Sequence, residues 1–193
     1  MKKILKSALL VTALTNLLTA GTIFDLQAQH FSNSNDGDGV AAKYDLPNVY
    51  VSTALKYING FYTLVSTSTQ TMSVELKSPP ANWSVSFDMS YYLNNQTHPI
   101  RFTSDTGRTI TVTFKYYYIF LNGVKIYNGS SLDGSEAVTG TITKSGNTVT
   151  CTIAGFVTKT ITVSDFSNLK FVNVSLLHDS YTDHLNGLNI ASN

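Results

Sequence analysis

Trp83-Ser-Val-Ser-Phe-Asp-Met-Ser-Tyr91 is the stretch on which the fold reading turns. Trp83, Val85, Phe87, Met89 and Tyr91 alternate with Ser84, Ser86, Asp88 and Ser90, and successive side chains of an extended chain point to opposite faces. One face is apolar enough to pack, while the other carries only hydroxyls and one carboxylate. The stretch therefore predicts a strand with one face in a core and the other wet or lining a groove. The same texture recurs downstream, where Ile110, Val112 and Phe114 alternate with Thr109, Thr111 and Thr113. A run over 116–121 leads into Asn122-Gly123, whose residues both tolerate positive φ, and Val124-Lys-Ile-Tyr127 then returns as the second arm of a hairpin. Segments 141–144 and 148–153 flank Ser145-Gly146-Asn147 as a second hairpin, and strands over 158–163 and 169–177 follow.

From residue 48 onward such apolar runs are punctuated roughly every eight to twelve residues by turn signals, among them Asn59-Gly60, Pro79-Pro80, Asn94-Asn95, Asp133-Gly134 and Asn186-Gly187. No stretch beyond the leader has helical period. The expected class is all-β, a two-sheet antiparallel sandwich of the jelly-roll kind occupying 48–193 as one domain. A chain of 193 residues suits one such unit. Its formal charge of +1 and 13% charged residues provide no field that would steer it to nucleic acid, which is not expected as a partner. Ser, Thr, Asn and 11 Tyr cover the polar faces instead.

Residues 1–28 read as a secretory signal peptide: Lys2, Lys3 and Lys6 precede an apolar stretch over 4–20 that holds no acidic residue. A cut after Ala20 and a cut after Ala28 both leave a small residue at the cleavage position, and the sequence does not choose between them. Thr12, Thr15, Asn16 and Thr19 dilute the span as a membrane anchor, and no membrane span is expected in the mature form. Residues 29–47, with Ser34-Asn-Asp-Gly-Asp-Gly39, read as a flexible polar segment. Cys151 is the single cysteine, so it forms no internal disulfide, and its alternation with Val149 and Ile153 makes it a core thiol.

In order along the chain, Trp83-Ser-Val-Ser-Phe-Asp-Met, Ile100-Arg-Phe-Thr-Ser, Gly107-Arg-Thr-Ile-Thr-Val-Thr-Phe, Ile119-Phe-Leu-Asn-Gly and Val149-Thr-Cys-Thr-Ile-Ala-Gly155 resemble the strand succession of concanavalin A-like (laminin G-type) jelly rolls. The resemblance implies two antiparallel sheets, one of them curved inward, and functions among sugar binding, adhesion and glycan cleavage. Hydrolases of that fold carry a Glu-x-Asp-x-x-Glu strand that sets two carboxylates on one face. Here Glu75 and Glu136 lie far apart and outside any such motif, and the Gln-x-His and Tyr-x-Lys-x-Gly strands of the jelly-roll lyases are missing too.

Residues 91–98, Tyr-Tyr-Leu-Asn-Asn-Gln-Thr-His, gather two phenols, three carboxamides and an imidazole, with Arg101 just beyond. Aromatic rings stack on sugar C–H faces while amides and guanidinium groups bond hydroxyls. The same residues also suit a polar turn. Other clusters are His178-Asp-Ser-Tyr-Thr-Asp-His184, a possible divalent-ion set without an established spacing, and Ser34-x-Asp36-x-Asp38-Gly39 with Asp45, which imitates a calcium loop but has the wrong residues at both ends. Tyr116, Tyr117 and Tyr118 form an aromatic cluster in which alternation sends at least one ring into the core. Asn82, Asn95, Asn128 and Asn173 head N-x-Ser/Thr sequons.

The preferred expectation is a secreted, non-enzymatic domain that binds carbohydrate or glycoconjugate through Asp88, Tyr92, Asn94, Asn95, His98 and Arg101. One alternative is a surface-assembly or adhesin subunit that pairs exposed edge strands between copies. Another is a hydrolase or lyase of atypical motif using Asp88, Glu75 or His98. No catalytic residue is assigned, metal ligands and cofactor stay open with calcium as a candidate, and the sequence does not separate periplasm from extracellular space.

Overall fold

The computed structural model describes residues 21–27, 41, 43–51, 55–58, 61–64, 70–91, 97–129, 136–176 and 184–193. In chain order the strands are β1 (Gly21–Gln27), β2 (Asn48–Val51), β3 (Leu55–Ile58), β4 (Phe61–Leu64), β5 (Gln70–Glu75), β6 (Trp83–Tyr91), β7 (His98–Ser104) and β8 (Thr109–Lys115). There follow β9 (Tyr118–Leu121), β10 (Val124–Asn128), β11 (Glu136–Ser145), β12 (Thr148–Ile153), β13 (Val157–Thr162), β14 (Leu169–Leu176) and β15 (His184–Ser192). They form two antiparallel sheets. The first has eight strands in the order β13-β12-β11-β6-β15-β4-β3, with β1 also pairing β15; the second has seven in the order β10-β9-β8-β7-β14-β5-β2. The expected all-β sandwich is the observed one.

The core lies where the apolar rows of the two sheets meet. Trp83, Val85, Phe87 and Met89 of β6 all face inward, as their alternation with serine predicts. Trp83 stacks on Phe102 of β7 at 5.1 Å, and Phe87 meets Phe114 of β8 edge-on at 5.7 Å, so β6 is tied across the interior at two heights. Gly140 on β11 sits inward between its register partners Phe87 and Ile153, and a Cβ there would collide with both side chains. Cys151 is fully buried beside Val149 and Ile153, and burial pushes its thiol up to about 12, as expected of a core thiol.

Both sequence-read hairpins form. Asn122 and Gly123 take φ of 49° and 76° between β9 and β10, and Gly146 takes 55° between β11 and β12. Three expectations need correction. The run over 116–121 is not one strand, because Tyr116 at φ 52° and Tyr117 make the turn between β8 and β9. Alternation therefore does not hold across the tyrosines: all three are half-buried, and Tyr117 is the one that packs on the core. The sandwich also begins before residue 48. β1 pairs β15 from Gly21↔Ser192 to Gln27↔Gly187 and buries Phe24 and Leu26 completely. Within the segment read as flexible, Ala41 and Leu46 are buried, and the Tyr44 hydroxyl donates to the Asp25 carbonyl at 2.7 Å. Lastly, Asn186-Gly187 is no turn. It lies inside β15, where the register against β6 shifts between Leu185 and Gly187, the mark of a β-bulge.

Candidate binding groove on the first sheet

The polar side of β6 faces outward, and cross-strand register aligns it with four neighbours. Asp25 of β1 lies opposite Asn189 of β15, Asn189 opposite Ser86, Ser86 opposite Thr141 of β11, and Thr141 opposite Thr152 of β12. The adjacent row runs Gly187–Asp88–Thr139. Two cavities of about 380 and 220 Å³ lie along these rows and share Ser86, Phe87 and Thr139 as walls, so they form one groove across the strands. Four inter-strand spacings separate β1 from β12, about 19 Å.

The groove is built from uncharged hydrogen-bonding groups around two carboxylates. The Asn186 amide donates to Asp88 at 3.1 Å, which fixes the carboxylate at the groove wall. Ser86 and Thr141 share a hydrogen bond of 3.2 Å across the β6–β11 pair. Asp25 stands at one end beside Tyr44. Burial first, and then the Asp25 charge, raise that phenol above its ordinary range, against the opposing pull of its hydrogen bond to the Asp25 carbonyl. The bulge in β15 brings Asn186 to Asp88, and Gly187 beside it projects no side chain into the groove.

Of the residues read from sequence as a binding face, Asp88 lies in this groove. Arg101 is exposed on β7 of the second sheet and points away from the interior, so it faces the opposite side of the sandwich. His98 belongs to the inward row of β7 with Ile100 and Phe102 and is 1% exposed, so its imidazole is an interior group and not part of an outward rim. Tyr92, Asn94 and Asn95 lie outside the described residues, as do the segment over 178–183, residues 34–39 and the side chains of His184 and Glu136. Asp45, the last position of the calcium-like loop, pairs with Lys77 at 2.8 Å. Glu75 pairs with Lys170 at 2.9 Å on the second sheet, so Asp88, Glu75 and His98 share no site. Sequence reasoning missed Asp25, which lies within residues 1–28 read as a signal peptide, Asn186, taken with a turn, and Asn189, to which it gave no role. The polar-apolar pattern Asp25-Leu26 and Leu188-Asn189-Ile190 was the available signal for all but Asn186.

No family model matches the chain, and no curated protein matches its sequence. Among solved structures it is similar to a sialidase, over 90% of this chain but 18% of that one, with a TM-score of 0.60 and 10% identity. It is similar to the CBM2 module of the Lactobacillus casei BL23 phage J-1 evolved Dit, over 89% of this chain and 95% of that one, at 0.58 and 13%. The metal-free Emp46p carbohydrate recognition domain matches over 88% and 94%, at 0.56 and 9%. The chain thus spans less than a fifth of the sialidase and nearly all of the other two. At these identities the likeness is one of architecture, that of a two-sheet antiparallel β-sandwich.

Proposed function

We propose that the chain is an exported, non-enzymatic carbohydrate-binding domain whose ligand lies across the strands of the first sheet, in the groove around Asp88. The observation that carries this reading is the registered outward row Asp25–Asn189–Ser86–Thr141–Thr152, which offers carboxylate, carboxamide and hydroxyl groups at regular spacing along a continuous trough. Sugars present hydroxyls at a similar density, and a trough of about 19 Å accommodates a chain of several units. The fold neighbours that nearly coextend with the chain are, by their own descriptions, a carbohydrate recognition domain and a CBM2 module, which supports the same ligand class. Tyr92, Asn94 and Asn95 follow directly on β6 in sequence and are retained as candidate groups at its end. His98 and Arg101 are not.

Export is part of the proposal, with cleavage after Ala20. A cut after Ala28 would remove all of β1, with two fully buried side chains and one edge of the groove. Among the described residues no helix is long and apolar enough to cross a membrane.

The test is a glycan array probed with residues 21–193, with calcium and then with chelator, beside the variants Asp88→Ala and Gly187→Val. A Cβ at Gly187 meets nothing closer than 3.8 Å, so the position admits a side chain, and the valine variant is expected to keep its fold, checked by circular dichroism, while its methyl groups fill the trough. The expected result is binding by the native protein and a loss of about tenfold or more in both variants. An array that stays blank with and without calcium, or binding that both variants retain, would overturn the reading.

A further inference from the structure

Lys144 is a charged residue in an interior position. It continues the inward row of β11 after Val138, Gly140 and Ile142, lies in register with Trp83 and Val149, and is 4% exposed. Its Nζ donates one hydrogen bond, to the Ala81 carbonyl at 2.7 Å. Among the described residues no carboxylate comes within ion-pair distance of it. The aliphatic stem accounts for its packing, but methionine would fill the same space without desolvating an ammonium group. The burial that makes the charge costly also lowers the lysine's pKa.

Lys144 lies in the wall of a cavity of about 520 Å³ at this end of the sandwich, between the β11–β12 turn and the segment joining β13 to β14. The two acids nearby are already engaged. Asp165 pairs with Arg108 at 3.2 Å, and Asp105 accepts hydrogen bonds from Ser167 and from the Asn168 amide, which hold its carboxyl below the ordinary range. Asn82 accepts the Gly146 N–H through Oδ1 at 2.9 Å, which leaves its amide nitrogen free to donate. What remains is a cavity in the usual size range of small-ligand sites, lined mainly by hydroxyls and carboxamides, with Phe166 and the Arg108-paired Asp165 in its wall and Lys144 as its one cation without a carboxylate partner among the described residues.

We propose that this cavity is a second ligand site, taking the carboxylate of an acidic sugar with Lys144 as its counter-ion. The hydroxyl and amide lining suits the ring of such a sugar, and the ammonium suits its charge. The site shares no residue with the groove on the first sheet, so either reading can fail without the other.

The experiment is an NMR titration of the protein over residues 21–193, following the Lys144 side-chain resonances, with glucuronate, glucose and inorganic sulfate added in turn. Glucuronate is expected to move these resonances and raise the lysine's pKa, while glucose leaves them in place. Lys144→Met is expected to bind glucuronate about tenfold or more weaker and to melt at a higher temperature than the native protein. A glucuronate titration that leaves Lys144 unmoved overturns the proposal, as does movement by sulfate alone or equal glucuronate affinity in the methionine variant. Should that variant fail to fold, the titration of the native protein still decides.

Discussion

At Asp88 the hydrogen bond from Asn186 holds one carboxylate oxygen and leaves the other oxygen to a ligand. Arg101 stands on the outer face of the other sheet, so Arg101→Ala is expected to leave glycan affinity unchanged where Asp88→Ala weakens it; isothermal titration of the two variants separates the faces. Gly140 is required by contact, since a methyl at that position would meet Phe87 and lie 2.7 Å from Ile153 Cδ1. Gly140→Ala should therefore destabilise the fold by about 1–3 kcal/mol, read as a lower urea midpoint. Cys151, with its thiol pushed from 9.0 to about 12 by burial, should resist a thiol reagent at pH 8 in the native protein and react once denatured. The same shift fixes a sign in the pH dependence. The folded chain keeps the proton that the unfolded chain loses, so this contribution is fully present below pH 9.0 and disappears as pH rises toward about 12.

Among the elements, β1 was hidden from sequence reading because Gly21-Thr-Ile-Phe-Asp-Leu-Gln27 follows directly on the apolar stretch over 4–20 that reads as a signal peptide. In the fold it pairs β15 from Gly21↔Ser192 to Gln27↔Gly187. Phe24 and Leu26 contribute about 1.5–3 kcal/mol each by burial, together a large share of the 5–15 kcal/mol that holds a typical domain. A protein starting at Gln29 should accordingly melt far below one starting at Gly21, or fail to fold, by circular dichroism. Intact-mass measurement of the exported protein should find Gly21 at its N-terminus. β15 carries the opposite lesson, since Asn-Gly, a turn signal in an isolated hairpin, becomes a bulge where strands on both sides hold the chain extended.

For the whole molecule, the open question between a binding module and an assembly subunit turns on the free edges of the sheets. β13 ends the first sheet, and its inward row reads Val157-Lys159-Ile161, with Lys159 opposite the buried Cys151. A lysine in the inward row of an edge strand obstructs another strand from adding there, because its charge would have to be buried. The native protein should therefore run as a monomer in light scattering, and Lys159→Val should shift it toward larger species. Large assemblies of the native protein would favour the assembly reading.

The sequence by itself determined the class, the two hairpins and the inward face of most strands. These rest on alternation and on the tolerance of Asn-Gly and Gly-Asn for positive φ, both local properties that a few residues specify. It also marked Asp88 as an outward carboxylate on the strongest strand. Only the tertiary structure decided what Asp88 stands beside. Asp25 and Asn189 lie far from it in sequence and reach it through the register of β1, β15 and β6, which long-range pairing alone sets. The same holds for His98, whose polar flank suggested a rim but whose place in β7 turns it inward, and for Lys144, whose burial depends on which strands pack around it.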